Sequence, residues 1–126
     1  MIQAIRLLFL CALAGSLPLS GTAAEAAAGS PVHEIRVTAQ RYKFTPNVIT
    51  VHQGERVRLI ITALDREHGF KLSAYHINKT LKKGDPVAIE FTASKAGTFP
   101  FHCSHFCGLG HFKMRGKLIV EPKIRH

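Results

Sequence analysis

The sequence predicts an all-β fold: a sandwich of two antiparallel sheets around one apolar core. Three observations point there. Six segments alternate apolar and polar residues with a period of two, which marks half-buried strands. Runs with turn chemistry separate them. No segment shows a convincing helical period. The 126 residues hold one ordinary domain and leave no room for a second of useful size.

The strands follow in order. In 33–39 (HEIRVTA), Ile35, Val37 and Ala39 share a face. In 47–51, Ile49 and Val51 do the same. In 56–63 (RVRLIITA), Val57, Leu59, Ile61 and Ala63 oppose Arg56 and Arg58. Segment 86–93 repeats this with Val87, Ile89 and Phe91, and 97–103 with Phe99, Phe101 and Cys103. In 116–121, Leu118 and Val120 point inward. The breaks are HQGE at 52–55, KKGDP at 82–86 and SKAG at 94–97. Side chains alternate along a strand, so each named set lines one face.

The composition is 46% hydrophobic with 17 basic and 8 acidic residues, a formal charge of +9. Gly, Pro and charged fractions are ordinary, which argues against disorder, collagen and coiled coil. Three cysteines are too few for a disulfide-built mini-protein, while eight histidines are many for this length.

The N-terminus reads as an export signal. Arg6 precedes the uncharged run LLFLCALAGSLPL (7–19), and small residues follow before Glu25. Cleavage after Ala24 is expected, and an uncleaved anchor is the alternative, although Gly15, Pro18 and Gly21 weaken a spanning helix. Removing residues 1–24 takes away one basic residue, Arg6, and moves the charge from +9 to +8. Residues 25–32 read as a leader, 33–122 as the domain and 123–126 as a tail. Cys103 and Cys107 remain, in an oxidising compartment where a spare thiol pair tends toward a disulfide.

The chemistry concentrates between the last two strands. Cys103, Cys107, His111 and Met114 stand in a C-x3-C-x3-H-x2-M pattern within twelve residues. Thiolate, imidazole and thioether together suit copper above other metals. Zinc rarely takes a thioether, and its sites more often use paired C-x2-4-C spacing. Gly108 and Gly110 let one loop aim several side chains at one point. A further ligand is expected from outside the loop. His68 follows one apolar strand and opens the next, an end position where sandwich loops converge.

These residues resemble the cupredoxins, and among them the CuA domains of cytochrome c oxidase subunit II and nitrous oxide reductase. The match lies at Cys103, Cys107, His111, Met114 and His68, with MRGKLIVEP (114–122) closest to the nitrous oxide reductase version. The early strand pattern at 49–59 is looser, and the resemblance spans roughly 33–122. It implies a cupredoxin-like Greek-key sandwich and a binuclear copper centre. Both thiolates would bridge two copper ions, with His68 on one and His111 on the other. Met114 and the His105 carbonyl would be weak ligands. Two departures matter. Oxidases commonly carry Glu where His105 stands, so no magnesium is expected there. The chain also lacks the paired membrane helices of the oxidase subunit and the large catalytic domain of the reductase, so neither reaction transfers.

Each residue has a plainer reading. Cys103 and Cys107 could form an exported disulfide, His68 could be a surface histidine, and Met114 could fill core space. His33, His52, His76 and His126 read as solvent histidines, and His102 as pointing away from the Cys103 face. The favoured function is an exported, periplasmic one-electron carrier. Cu(I) storage or delivery and a non-catalytic place in an oxidase or reductase complex are the alternatives. A redox-inert disulfide module is the fourth reading. No independent catalysis is expected, because no triad, general base or open three-ligand metal site is in view. The positive charge predicts an acidic redox partner, or an anionic membrane face if the leader is retained; no nucleic-acid partner is expected.

Overall fold

The computed structural model describes Gly15 and residues 31–125. Apart from Gly15, the expected export signal, and all of the expected leader before Pro31, lie outside the described residues. No helix among the described residues is long and apolar enough to cross a membrane.

Among the described residues, nine strands form two sheets. They are β1 (Val32–Gln40), β2 (Lys43–Thr45), β3 (Val48–His52), β4 (Arg56–Ala63), β5 (His68–Leu72), β6 (Ile77–Leu81), β7 (Val87–Thr92), β8 (Gly97–His102) and β9 (Arg115–Glu121). One sheet runs β2-β1-β4-β7 and the other β3-β9-β8-β5-β6. The chain changes sheets repeatedly, as a Greek-key sandwich requires. β1 begins at Val32, inside the segment read as leader.

The strands are not all antiparallel, which corrects the expectation. β1 runs parallel to β4, and β3 runs parallel to β9. Alternation reports which face a residue takes and carries no information on strand direction. Each parallel pair joins strands that are distant in sequence, so no hairpin fixes their direction.

The inward rows are those the alternation marks. Val37, Ala39, Ile49, Val51, Val57, Leu59, Ile61, Ala63, Ile89, Phe101, Leu118 and Val120 are all buried. Burying one such aliphatic or aromatic side chain contributes about 1.5–3 kcal/mol, so these rows dominate the fold's stability. β2 adds Phe44, whose ring meets Phe70 and Phe101 edge-on at centroid distances of 5.7 and 5.4 Å. Phe70 lies two residues after His68 and Phe101 two residues before Cys103, on the same inward rows. The aromatic cluster therefore fixes both strands that carry these residues.

Candidate metal centre

The segment between β8 and β9 folds back on itself. The Cys103 amide donates to the Met114 carbonyl at 3.0 Å, which closes the loop at its base. A single 3-10 turn, His111–Lys113, brings His111 back toward Cys107. Gly108 sits at φ +134°, a backbone state that L side chains rarely adopt. A Cβ there would also press on the Tyr42 hydroxyl at 2.5 Å. Tyr42 is thus packed against the loop, a contact that sequence spacing does not announce.

The six residues named from the sequence meet at this end of the sandwich. The Cys103 and Cys107 sulfurs lie 3.8 Å apart, and both thiols are free and buried. A disulfide needs about 2.05 Å, so the structure holds the pair unbonded. His68 Nδ1 lies 3.9 Å from Cys103 Sγ, and His111 Nδ1 lies 3.7 Å from Cys107 Sγ. The His105 carbonyl oxygen stands 3.1 Å from Cys103 Sγ. Met114 Sδ stands 3.9 Å from Cys107 Sγ. Each sulfur therefore has one imidazole and one weak donor beside it. His68, Cys103 and Cys107 alone form a compact group, their ligand atoms all within 4.8 Å of one another.

The electrostatics suit a cation. His68 is fully buried, and its Nε2 meets Asp65 Oδ1 at 2.6 Å. That bond occupies Nε2 and leaves Nδ1 aimed at Cys103, the arrangement in which a carboxylate orients a metal-binding imidazole. Burial alone would raise the Asp65 carboxyl. Hydrogen bonds from His68 and the Arg41 amide outweigh it and hold the group below its ordinary value. Burial pushes the Cys107 thiol up to about 11, and the adjacent Cys103 sulfur adds to this. Two buried sulfurs this close resist carrying two negative charges by themselves, and a bound cation relieves that. The Gly69 amide also points at Cys103 Sγ, at 3.4 Å.

Two thiolates, two imidazoles, a thioether and a carbonyl make a soft to borderline set that fits copper. The His105 side chain is no part of it. Its Nε2 turns outward to Glu67 Oε1, 3.0 Å away. Sequence reasoning missed Asp65, Gly69 and Tyr42. Asp65 had a visible signal, an acid three residues before a candidate histidine. His33, His52 and His76 are exposed, and His102 faces outward beside the site. His126 lies outside the described residues.

A cupredoxin-like domain model matches residues 7–120. The chain belongs to the cupredoxin-like family. Its relatives include a nitrous-oxide reductase of Cupriavidus necator, 33% identical over 91 residues, covering 69% of this chain and 14% of that enzyme. Cytochrome c oxidase subunit 2 of Thermus thermophilus is 31% identical over 93 residues, covering 74% of this chain and 69% of that subunit. The periplasmic domain of oxidase subunit II from Bradyrhizobium japonicum superposes with a TM-score of 0.66 at 22% identity, covering 71% of this chain and 84% of that domain. The cupredoxin-like fold is thus shared, and this chain spans only a small part of the reductases it matches. Family membership and the buried histidine and cysteine cluster support copper binding.

Proposed function

We propose that this cupredoxin-like protein is an exported electron-transfer module whose paired cysteines hold two copper ions. One observation carries the reading: the six donor atoms divide into two matching halves about the Cys103–Cys107 pair. A mononuclear site would need only one sulfur and would leave the other half without a task. Cys103, Cys107, His68 and His111 would hold the ions, with Met114 and the His105 carbonyl as weaker donors. Copper supplies the one-electron redox change. The chain's own residues fix the donors and exclude water. His68, Cys103, Cys107 and Met114 are at most 2% exposed. A rigid, dry site keeps reorganisation small.

That burial disfavours Cu(I) storage or delivery, which needs donors a competitor can reach. The partner in this reading is an acidic redox protein, itself free or part of a membrane oxidase or reductase complex. The periplasm is the proposed location, because the export-like N-terminus and the family relatives both suit it. No catalysis of its own is assigned.

The test is metal content and the visible and electron-spin spectra of protein purified from the export compartment. Two copper ions per chain and a mixed-valence signal are expected, with loss of one or both ions in Cys103→Ser. One copper per chain, unchanged in Cys103→Ser, would sink the binuclear reading.

A further inference from the structure

The outer face of the five-stranded sheet carries a second feature beside the cysteines. Asn78 pairs with Lys71 across β6 and β5, Lys71 with His102 across β5 and β8, and His102 with Arg115 across β8 and β9. These four residues form one register row over four strands. Lys71 and His102 each stand between two buried neighbours, and Asn78 and Arg115 are exposed in register with them, so the row faces outward. They line a cleft of about 470 Å³ together with Cys103, Ser104, His111 and Phe112.

The row is electrostatically one-sided. Lys71 and Arg115 bring two fixed positive charges, and no carboxylate of the described residues lines the cleft. Directly opposed strand residues sit about 5 Å apart, so Lys71 and Arg115 leave the sheet about 10 Å apart with His102 between them. Like charges so placed repel, whereas Arg58, on the four-stranded sheet, is compensated by Glu90 at 2.6 Å and Glu34 at 3.7 Å. The donors are also oriented. Ser104 Oγ donates to Asn78 Oδ1 at 2.8 Å, which occupies the amide oxygen and leaves its NH2 to donate. Arg115 Nε donates to the Phe112 carbonyl at 2.8 Å, which pins the guanidinium and leaves its terminal nitrogens free.

We infer that this row is a carboxylate-binding subsite, built to hold one acidic group between Lys71 and Arg115 against the edge of the cysteine centre. An arginine fork, an ammonium and an amide NH2 around one cleft match a carboxylate's oxygens. It deepens the acidic-partner reading, on which only the source of the carboxylate rests: a glutamate or aspartate of the partner, or a free dicarboxylate.

The test is calorimetric titration of the purified, copper-loaded chain with succinate and, separately, with a hexaglutamate peptide. Backbone amide shifts locate the binding. Both probes are expected to bind and to move the amides of Asn78, Lys71, His102 and Arg115. Lys71→Gln and Arg115→Gln should each weaken both probes roughly tenfold, the loss of one charge-assisted hydrogen bond. Lys95→Gln, on the turn before β8, should leave both unchanged. Succinate binding with no peptide binding keeps the subsite and removes the acidic-protein source. Equal weakening by Lys95→Gln and Lys71→Gln, or shifts spread over the whole basic surface, overturns the subsite.

Discussion

Asp65 Oδ1 lies 2.6 Å from Nε2 of the fully buried His68. The same carboxylate accepts from the Arg41 and Arg66 amides at 3.0 and 2.9 Å. Asp65 is therefore held by the backbone and in turn holds the ring, so Nδ1 can face only Cys103. Asp65→Ala removes the fixed acceptor and frees the imidazole. Copper affinity is expected to fall between about 10- and 100-fold, as for other carboxylates behind metal-bound histidines. Asp65→Asn retains an acceptor oxygen and should lose less. Competition against a copper chelator measures both, and equal affinity in wild type and Asp65→Ala would refute the orienting role.

Met114 sits 3.9 Å from Cys107 Sγ and is fully buried. A thioether is a weak ligand whose main effect is on potential. Met114→Leu conserves volume, so packing survives. Copper should remain bound while the reduction potential rises. His111→Ala removes an imidazole and should lose much of the metal. Voltammetry of the loaded variants reads the difference; an unaltered potential in Met114→Leu makes Met114 core packing only.

Much of this was legible in the chain. Alternation marked β4 at its full extent, Arg56–Ala63, because every second residue there is buried. β2 escaped notice because three residues are too few to show a period. β6 escaped because Asn78, Lys79 and Thr80 put three polar residues in a row. The ligand loop was legible because its donors sit at fixed spacing in one segment. Tyr42 and the Asn78–Arg115 row were not, since each depends on strand register or on how distant segments pack, whereas Asp65 stood three residues before His68 and its signal went unread. The parallel β1–β4 and β3–β9 pairs were hidden for the same reason.

Gly69 follows His68 and lies under the ligand loop. A Cβ there would meet Ser104 Oγ and stand 2.8 Å from the His105 amide nitrogen. The second neighbour is backbone and cannot swing aside. Gly69→Ala should therefore push the loop away from β5, at a cost of about 1–3 kcal/mol for overpacking. It should also lengthen the contact between His68 and Cys103. Thermal unfolding of the metal-free chain reads the first effect and copper affinity the second. Wild-type values for both would show that the loop yields freely.

Glu55 gathers two histidines at the junction of β3 and β4. Its carboxylate lies 3.0 Å from His33 Nδ1 and 3.3 Å from His52 Nδ1. The His33 hydrogen bond lowers the carboxyl, burial opposes it, and the His52 amide lowers it further. A depressed carboxyl stabilises the fold above its unfolded value and loses that contribution as pH falls through the folded value. Glu55→Gln should thus destabilise at about pH 6 and make no difference at about pH 2, where the wild-type group is protonated too. The pair is substantially solvated, so the expected loss is only about 0.5 kcal/mol. Urea unfolding at the two pH values tests the sign. A deficit that grows toward low pH contradicts it.

The ligand loop also exposes Phe106, Leu109 and Phe112, at 63%, 95% and 73%. The Phe112 ring centroid lies 5.4 Å from that of His111, so an apolar patch adjoins the candidate copper edge. Lys113 and Arg115 flank Met114 in sequence, and both are exposed. Such a surface combines two contributions with different salt responses. Charge steers encounter and is screened, since the Debye length falls from about 10 Å at 0.1 M to about 3 Å at 1 M. Apolar burial is not screened in this way. Electron transfer to an acidic cytochrome should therefore slow steeply between these salt concentrations and reach a residual rate. Phe112→Ala should lower that residual rate, while Lys113→Gln should lower only the low-salt rate. Stopped-flow reactions with one acidic and one basic cytochrome separate the two. A faster reaction with the basic cytochrome, or an acidic one indifferent to salt, is incompatible with docking by a positive rim around an apolar patch.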